Sequence, residues 1–166
     1  MKVLEKQSGK FHLSADIGCH LFSTLPPFNI GNTVLGYGLG LASNSAVHPA
    51  MAKRTLTVMG DGGFWHNGLT TGIANTVFNK NDGILVIMKN GYSSATGTQE
   101  LPSSPQHSEE KAAEMSMERA LRGIGVNWMR TVHTYHVGEM KETLTDAMTT
   151  PYKGLKVIVA EGECQL

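Results

Sequence analysis

Two short runs dominated by apolar and β-branched residues organise the hydrophobic pattern: the one that follows Arg54 and ends at Gly60, and residues 84–88. Both are rich in β-branched residues and lack alternation, the pattern of strands buried on both faces. Between them Leu69, Ile73, Ala74 and Val77 recur at helical spacing. The three segments predict a strand–helix–strand unit of about 35 residues, the size of a βαβ crossover. Further strands are predicted at 11–15, 126–132 and 155–160. A helix is expected to begin at Ser108, with Glu109 and Glu110 favouring its N-terminal dipole. Ala113, Met117, Ala120, Leu121 and Ile124 would form its apolar stripe, and Gly123 or Gly125 would end it. Val137, Met140, Leu144, Ala147 and Met148 stripe another helix. The polar residues 1–11 predict no element, and residues 21–30, with Pro26-Pro27, predict a loop without helix. Residues 31–46, with alternating Gly36, Gly38 and Gly40, read as a glycine-rich helix that Asn32 is placed to cap. Residues 92–107 read as a long loop, a length uncommon outside functional segments. The expected fold is a three-layer α/β/α domain with a mainly parallel sheet, spanning 1–166 as one unit.

Composition narrows the partners. Lys and Arg total 14 and so do Asp and Glu, so there is no basic field to attract nucleic acid or an anionic membrane. No apolar run approaches membrane-spanning length, and the N-terminus does not read as a signal peptide. Charged residues are only 17% of a chain with 19 glycines, which suggests that a second domain or chain covers part of the surface. Cys19 and Cys164 are too few for an iron–sulfur cluster and too far apart to suggest a disulfide framework, so a reducing cytoplasm is expected.

The chemistry is expected where the two central strands end. Asp61 follows the first strand and Asn90 the second, 29 positions later. In a βαβ unit both strand ends open onto one sheet edge, where ligands of open α/β sheets bind. Gly62 and Gly63 leave backbone amides bare at the start of the helix, which suits a phosphate. A carboxylate, an amide oxygen and a nearby diphosphate are hard ligands that suit Mg²⁺. Read singly, Gly60-Asp61-Gly62 and Asn90-Gly91 are ordinary turns; their pairing at two strand ends argues for a site.

Gly60-Asp61-Gly62 with Asn90 about thirty residues on resembles the motif of the thiamine diphosphate-binding fold. The continuation from Asn90 to Thr96-Gly97-Thr98-Gln99, and the loop Ile17-Gly18-Cys19, are similar to those of the 2-oxoacid:ferredoxin oxidoreductase family, most of all its indolepyruvate branch. The resemblance covers residue 12 to the end. Gly91 departs from it, standing where many thiamine enzymes carry a second Asn.

The resemblance implies thiamine diphosphate and Mg²⁺ as cofactors. Gly60, Asp61, Gly62, Gly63, Asn90, Tyr92, Thr96 and Gly97 would bind the cofactor, and Asp61, Asn90 and the Tyr92 carbonyl would hold the metal. Thr96 and Gly97 would offer a hydroxyl and an amide to the diphosphate. The implied reaction is oxidative decarboxylation of an arylpyruvate-type 2-oxoacid, with ferredoxin as acceptor and iron–sulfur clusters only in a partner region. The activating glutamate belongs to a separate pyrimidine-binding domain or subunit that this chain lacks. The chain would thus be an incomplete half-site in an oligomer, either as a natural subunit or as part of a longer protein. Cys19 is either a small apolar residue or, as in the family, a neighbour of the reactive thiazolium ring. Leu35 or Leu39 would brace the cofactor. His20 and His66 could face the cofactor or simply the surface, and Cys164 reads as structural. Two other readings stand: the diphosphate-binding subunit of a non-oxidative 2-oxoacid decarboxylase, and a non-catalytic Mg²⁺–nucleotide-binding module.

Overall fold

A computed structural model describes residues 1–104 and 115–164. Along the chain it has α1 (Lys2–Ser8), β1 (Leu13–Ala15), β2 (Thr33–Val34), α2 (Gly40–Val47), β3 (Leu56–Gly60) and a continuous helix α3 (61–78). These are followed by β4 (Ile84–Lys89), a small hairpin of β5 (Tyr92–Ser93) and β6 (Gln99–Glu100), α4 (Met117–Ile124), β7 (Trp128–His133), α5 (Val137–Thr149) and β8 (Lys156–Glu161). Six strands form one sheet in the order β2-β1-β3-β4-β8-β7. Every pairing in it is parallel. This is the expected three-layer α/β/α architecture.

The central strands bury both faces, so their sequences do not alternate. Ile84, Val86, Ile158 and Ala160 face a core closed by Leu4 of α1 and by Leu144 and Ala147 of α5. Leu85, Ile87, Val157 and Val159 face the other core, with Leu41 of α2, Phe64 and Ile73 of α3, and Met117 and Leu121 of α4. Each of these larger side chains contributes about 1.5–3 kcal/mol when fully removed from water.

Several elements differ from the sequence expectation. The first eleven residues hold α1, which has one deeply buried anchor, Leu4. The expected loop at 21–30 begins within a tight helical turn, Cys19–Thr24, whose Ser23 and Thr24 hydroxyls donate to the carbonyls of His20 and Leu21. The glycine-rich stretch is not one helix. It is the edge strand β2, a turn, and then α2. Gly38 sits at φ +79°, outside helical space, and Asn32 accepts the N–H of Leu13 instead of capping a helix. The loop after Asn90 holds the β5–β6 hairpin. The predicted helix start at Ser108, with Glu109, Glu110 and Ala113, lies outside the described residues. Within them α4 is capped by Ser116, which accepts the N–H of Arg119, and ends at left-handed Gly125.

In α3 the turns widen over Phe64–Ile73, so that the N–H of Ala74 reaches the carbonyl of Leu69. Each wide turn rotates the buried face relative to a 3.6-residue repeat. Gly68 and Gly72 therefore sit against the interior, and Leu69 and Val77 are only partly buried. A side chain at Gly68 would meet the Met59 sulfur at 2.6 Å.

Arg54 closes the opposite sheet edge. Its guanidinium donates to the carbonyls of Ala147, Met148, Thr150 and Tyr152 at the end of α5, and its Nε lies 3.1 Å from an Asp82 carboxylate oxygen.

Candidate functional site

Parallel pairing brings the ends of β1, β3 and β4 to one edge of the sheet, with Gly60 in register with Met88. Asp16, Asp61 and Asn90 are the residues that follow these strands. A cleft of about 350 Å³ opens there, within the range of small-molecule sites. Its floor is Gly60 to Gly63. One wall is Ile17 to His20, and the other is Asn90 with the first half of the hairpin, Tyr92 to Thr96.

Asp61, only 2% exposed, ties the two central strand ends together. Its Oδ1 accepts the N–H of Gly62 at 2.9 Å. Its Oδ2 accepts the N–H groups of Asn90 and Gly91 at 2.9 and 2.8 Å. A carboxylate oxygen has two acceptor positions. Oδ2 is therefore filled, and Oδ1 retains one. Gly91 occupies a positive φ of 88°, which explains the glycine where the family pattern often has a second Asn. Burial pushes the Asp61 carboxyl above its ordinary value, against the pull of the Gly91, Asn90 and Gly62 amides. A cation at Oδ1 would favour the ionised form.

Asn90 is held at both ends. Its Nδ2 donates to Ser94 Oγ at 2.5 Å, and its Oδ1 accepts the Tyr92 N–H at 3.2 Å. That oxygen also keeps one acceptor position. The strand ends thus bring two hard oxygen atoms to one cleft, each with a single acceptor position left.

The other predicted residues divide. Gly60, Gly62, Gly63, Tyr92, Thr96 and Cys19 line the cleft. Gly97 does not. It takes the left-handed turn position, and its N–H donates to Ser94 at 3.2 Å, so its amide serves the hairpin rather than the cleft. The Thr96 hydroxyl donates to Gln99 Oε1 at 2.6 Å. Leu35 is exposed, and neither it nor Leu39 lines the cleft. The glycine stretch delivers Tyr37 instead, whose hydroxyl lies 2.9 Å from Ser93 Oγ. Alternation of glycines with larger residues carried no periodic signal that could have singled out Tyr37. His66 stacks at 5.0 Å on the Tyr37 ring and does not line the cleft. His20 does, with Nε2 buried and, among the described residues, without a partner, and burial lowers its pKa, favouring the neutral ring.

Asp16, just before the Ile17-Gly18-Cys19 loop, carries no motif signal of its own. It is fully buried, and both its oxygens accept the Gly38 N–H, at 2.9 and 3.0 Å. Burial pushes its carboxyl up to about 6, opposed by the amides of Ile17, Gly38, Gly40 and Leu39. Phe22, Leu25, Phe28 and Leu35, which follow the Ile17–His20 wall in the chain, are each more than half exposed.

Residues 16–160 match the model of the C-terminal thiamine pyrophosphate-binding domain of thiamine pyrophosphate enzymes. The chain belongs to that family. It is 27% identical over 164 residues to the indolepyruvate oxidoreductase subunit IorA of Methanothermobacter thermautotrophicus, covering 98% of this chain and 26% of that protein. The corresponding subunit of Pyrococcus horikoshii is 26% identical over 166 residues, covering 92% of this chain and 25% of that protein. The chain thus spans about a quarter of the curated relatives it matches. Among solved structures, the 2-oxoglutarate:ferredoxin oxidoreductase of Magnetococcus marinus superposes with a TM-score of 0.76 at 18% identity, covering 93% of this chain and 55% of that one. The thiamine diphosphate-dependent 4-hydroxybenzoylformate decarboxylase of Rhodococcus jostii gives 0.61 at 14% identity, covering 93% of this chain and 30% of that one. At these identities the likeness concerns the fold. Among the described residues no helix is long and apolar enough to cross a membrane.

Proposed function

We propose that this thiamine pyrophosphate-binding domain anchors the cofactor of a 2-oxoacid:ferredoxin oxidoreductase that acts on indolepyruvate or a related arylpyruvate. One observation carries the reading: Asp61 Oδ1 and Asn90 Oδ1 each keep one acceptor position in the same cleft. The names of the relatives support the substrate class, and the Ile17-Gly18-Cys19 loop and the Thr96-Gly97-Thr98-Gln99 tail support the ferredoxin-linked family over a non-oxidative decarboxylase.

Asp61, Asn90 and the Tyr92 carbonyl would hold Mg²⁺. The side-chain donors, a carboxylate and an amide oxygen, are hard but only two, and among the described residues no group of three His, Cys, Asp or Glu adds to them. That is the situation in which Mg²⁺ relies on a substrate or cofactor phosphate. The expected bare amide at Gly62 is taken by Asp61 Oδ1, so Gly63, at the positive end of α3, would lie against the diphosphate. Thiamine diphosphate supplies a thiazolium carbon that adds to the keto group and accepts the electrons left on loss of CO₂. This chain would orient the ring between the Ile17–His20 wall and the hairpin. Cys19 would border the ring, and the unpartnered His20 Nε2 is placed to hold a proton there. Exposed Phe22, Leu25, Phe28 and Leu35 suit a covering pyrimidine-binding domain or subunit, which would also bring the activating glutamate. Iron–sulfur clusters and the ferredoxin contact would belong to other regions of the oligomer. Free Cys19 and Cys164 fit a cytoplasmic setting.

The test uses the assembled protein that carries this chain, stripped of cofactor. Calorimetry should give Mg²⁺-dependent binding of thiamine diphosphate, and the reloaded protein should reduce ferredoxin with indolepyruvate. Binding of a nucleoside diphosphate with indifference to thiamine diphosphate would reject the site. Aldehyde release without ferredoxin reduction would instead favour a non-oxidative decarboxylase.

A further inference from the structure

Three hydroxyl groups form a directed chain over the start of α3. Thr96 donates its single hydroxyl proton to Gln99 Oε1 at 2.6 Å, and that amide is fixed by its Nε2 donating to the Thr96 carbonyl at 2.6 Å. Ser93 Oγ, 3.3 Å from Thr96 Oγ1, must then be the donor to it. By the same count Tyr37, 2.9 Å from Ser93 Oγ, must donate to Ser93. Among the described residues, the phenolic oxygen of Tyr37 is left accepting nothing.

Tyr37 is held in place from both sides. The next residue, Gly38, is clamped by Asp16 and approaches the Gly63 carbonyl so closely that a side chain there would sit 2.6 Å from it. The ring of Tyr37 leans on His66. Its hydroxyl fills the space that a side chain at residue 62 would occupy, with Ser93 Oγ 3.0 Å from the same point. Gly62 is therefore required by the approach of a phenol as much as by that of a phosphate. A donor on a fixed backbone, with a free acceptor side, stands at the positive end of a long helix and on the wall of the cleft.

We propose that Tyr37 is a ligand to the cofactor's diphosphate, its hydroxyl turning from Ser93 to a phosphate oxygen when the cleft fills. The proposal rests on the reading of the cleft as a thiamine diphosphate site and adds a residue to it. Ser93 is then a resting partner, and the hairpin does not depend on the Tyr37–Ser93 bond when the cofactor is bound.

The test is calorimetry with the assembled, cofactor-stripped protein in saturating Mg²⁺, using thiamine diphosphate and thiamine monophosphate. Tyr37→Phe keeps the ring on His66 and should weaken diphosphate binding about tenfold, the usual loss for a hydrogen bond to a charged group. Monophosphate binding should change less than twofold. Ser93→Ala should leave diphosphate affinity within about twofold, which keeps the test independent of one variant's folding. Equal losses for both ligands, equal losses in Tyr37→Phe and Ser93→Ala, or no loss in Tyr37→Phe would each overturn the proposal. Failure of the unmutated protein to bind thiamine diphosphate would instead reject the cleft assignment, a result visible before any variant is compared.

Discussion

The N–H of Gly38 lies 2.9 and 3.0 Å from the two carboxylate oxygens of Asp16, so a single buried acid fixes the turn that carries Tyr37. The pair joins the end of β1 to the start of α2 across the cleft edge. Asp16 Oδ2 also fills the space that a side chain at Gly63 would take, so the shape of both the floor and the wall depends on it.

That acid should leave a signature in stability. Burial raises the Asp16 carboxyl from 3.8 to about 6. The folded protein therefore holds this proton more tightly than the unfolded chain. The resulting stability is full below about pH 4 and is lost as pH rises to about 6. Asp16→Asn cannot ionise and keeps an acceptor for Gly38. Between pH 4 and 7 the stability of the wild type relative to Asp16→Asn should fall by on the order of 2 kcal/mol. Urea unfolding at four pH values would measure this. A difference that rises with pH would mean that the amides around Asp16 outweigh its burial.

On the proposed reading Asp61 both ties the strand ends and holds the metal, and substitutions can separate the two. Asp61→Ala leaves the amides of Gly62, Asn90 and Gly91 unpaired and should cost about 2–4 kcal/mol of stability as well as ligand binding. Asp61→Asn keeps an acceptor at nearly the same volume but loses the charge. It should reduce Mg²⁺-dependent thiamine diphosphate affinity about a hundredfold with a smaller loss of stability. Asn90→Ala should reduce affinity only about tenfold, since a neutral amide attracts a cation less. Calorimetry on the assembled protein would give both values. A larger loss in Asn90→Ala would move the metal away from Asp61.

Gly38 and Gly123 give opposite expectations for the same substitution. At Gly38 an alanine combines a φ of +79° with backbone atoms of Gly63 and Gly68 at 2.6 and 2.9 Å, and no flexible group can yield. The expected cost is about 3 kcal/mol or more. Gly123 is exposed in α4 with nothing within 4 Å, and alanine there should add about 0.5–1 kcal/mol. Thermal unfolding would rank the two. A neutral Gly38→Ala would show that the turn can move, and the placement of Tyr37 would lose its support.

The strands were legible because burial on two faces writes itself as continuous apolar runs, as at 84–88 and 157–160. The edge where Asp61 and Asn90 meet was legible because parallel topology forces it. Other features had no periodic trace. Helix α1 presents one anchor, Leu4, and one residue makes no period. The widened turns of α3 changed the repeat on which its stripe was read. The glycine stretch suggested a helix because a positive φ at Gly38 is invisible in sequence. Tyr37 was overlooked in favour of Leu35 and Leu39 for the same reason. Gly97 matched a motif, yet its amide was needed by its own turn.

Arg54 and the residues at the end of α5 are more than ninety positions apart, so no local pattern joins them. At Asp82 three cations converge: Arg54 Nε at 3.1 Å, Lys153 at 3.4 Å, and fully buried Lys156, which also donates to the Gly154 carbonyl at 2.9 Å. The three do not weigh equally. Arg54 satisfies four backbone carbonyls besides the acid, whereas Lys156 pays desolvation beside a like charge, and its ammonium is drawn down to about 7. Removing Arg54 leaves those carbonyls and Asp82 short of donors, so Arg54→Met should cost about 3–5 kcal/mol. Lys156→Met keeps a similar volume and leaves Asp82 paired with Arg54, so it should lie within about 1 kcal/mol of wild type, in either direction. Denaturant midpoints of the two variants at pH 7 would compare them. Equal losses would assign the closure of this edge to Lys156 as much as to Arg54.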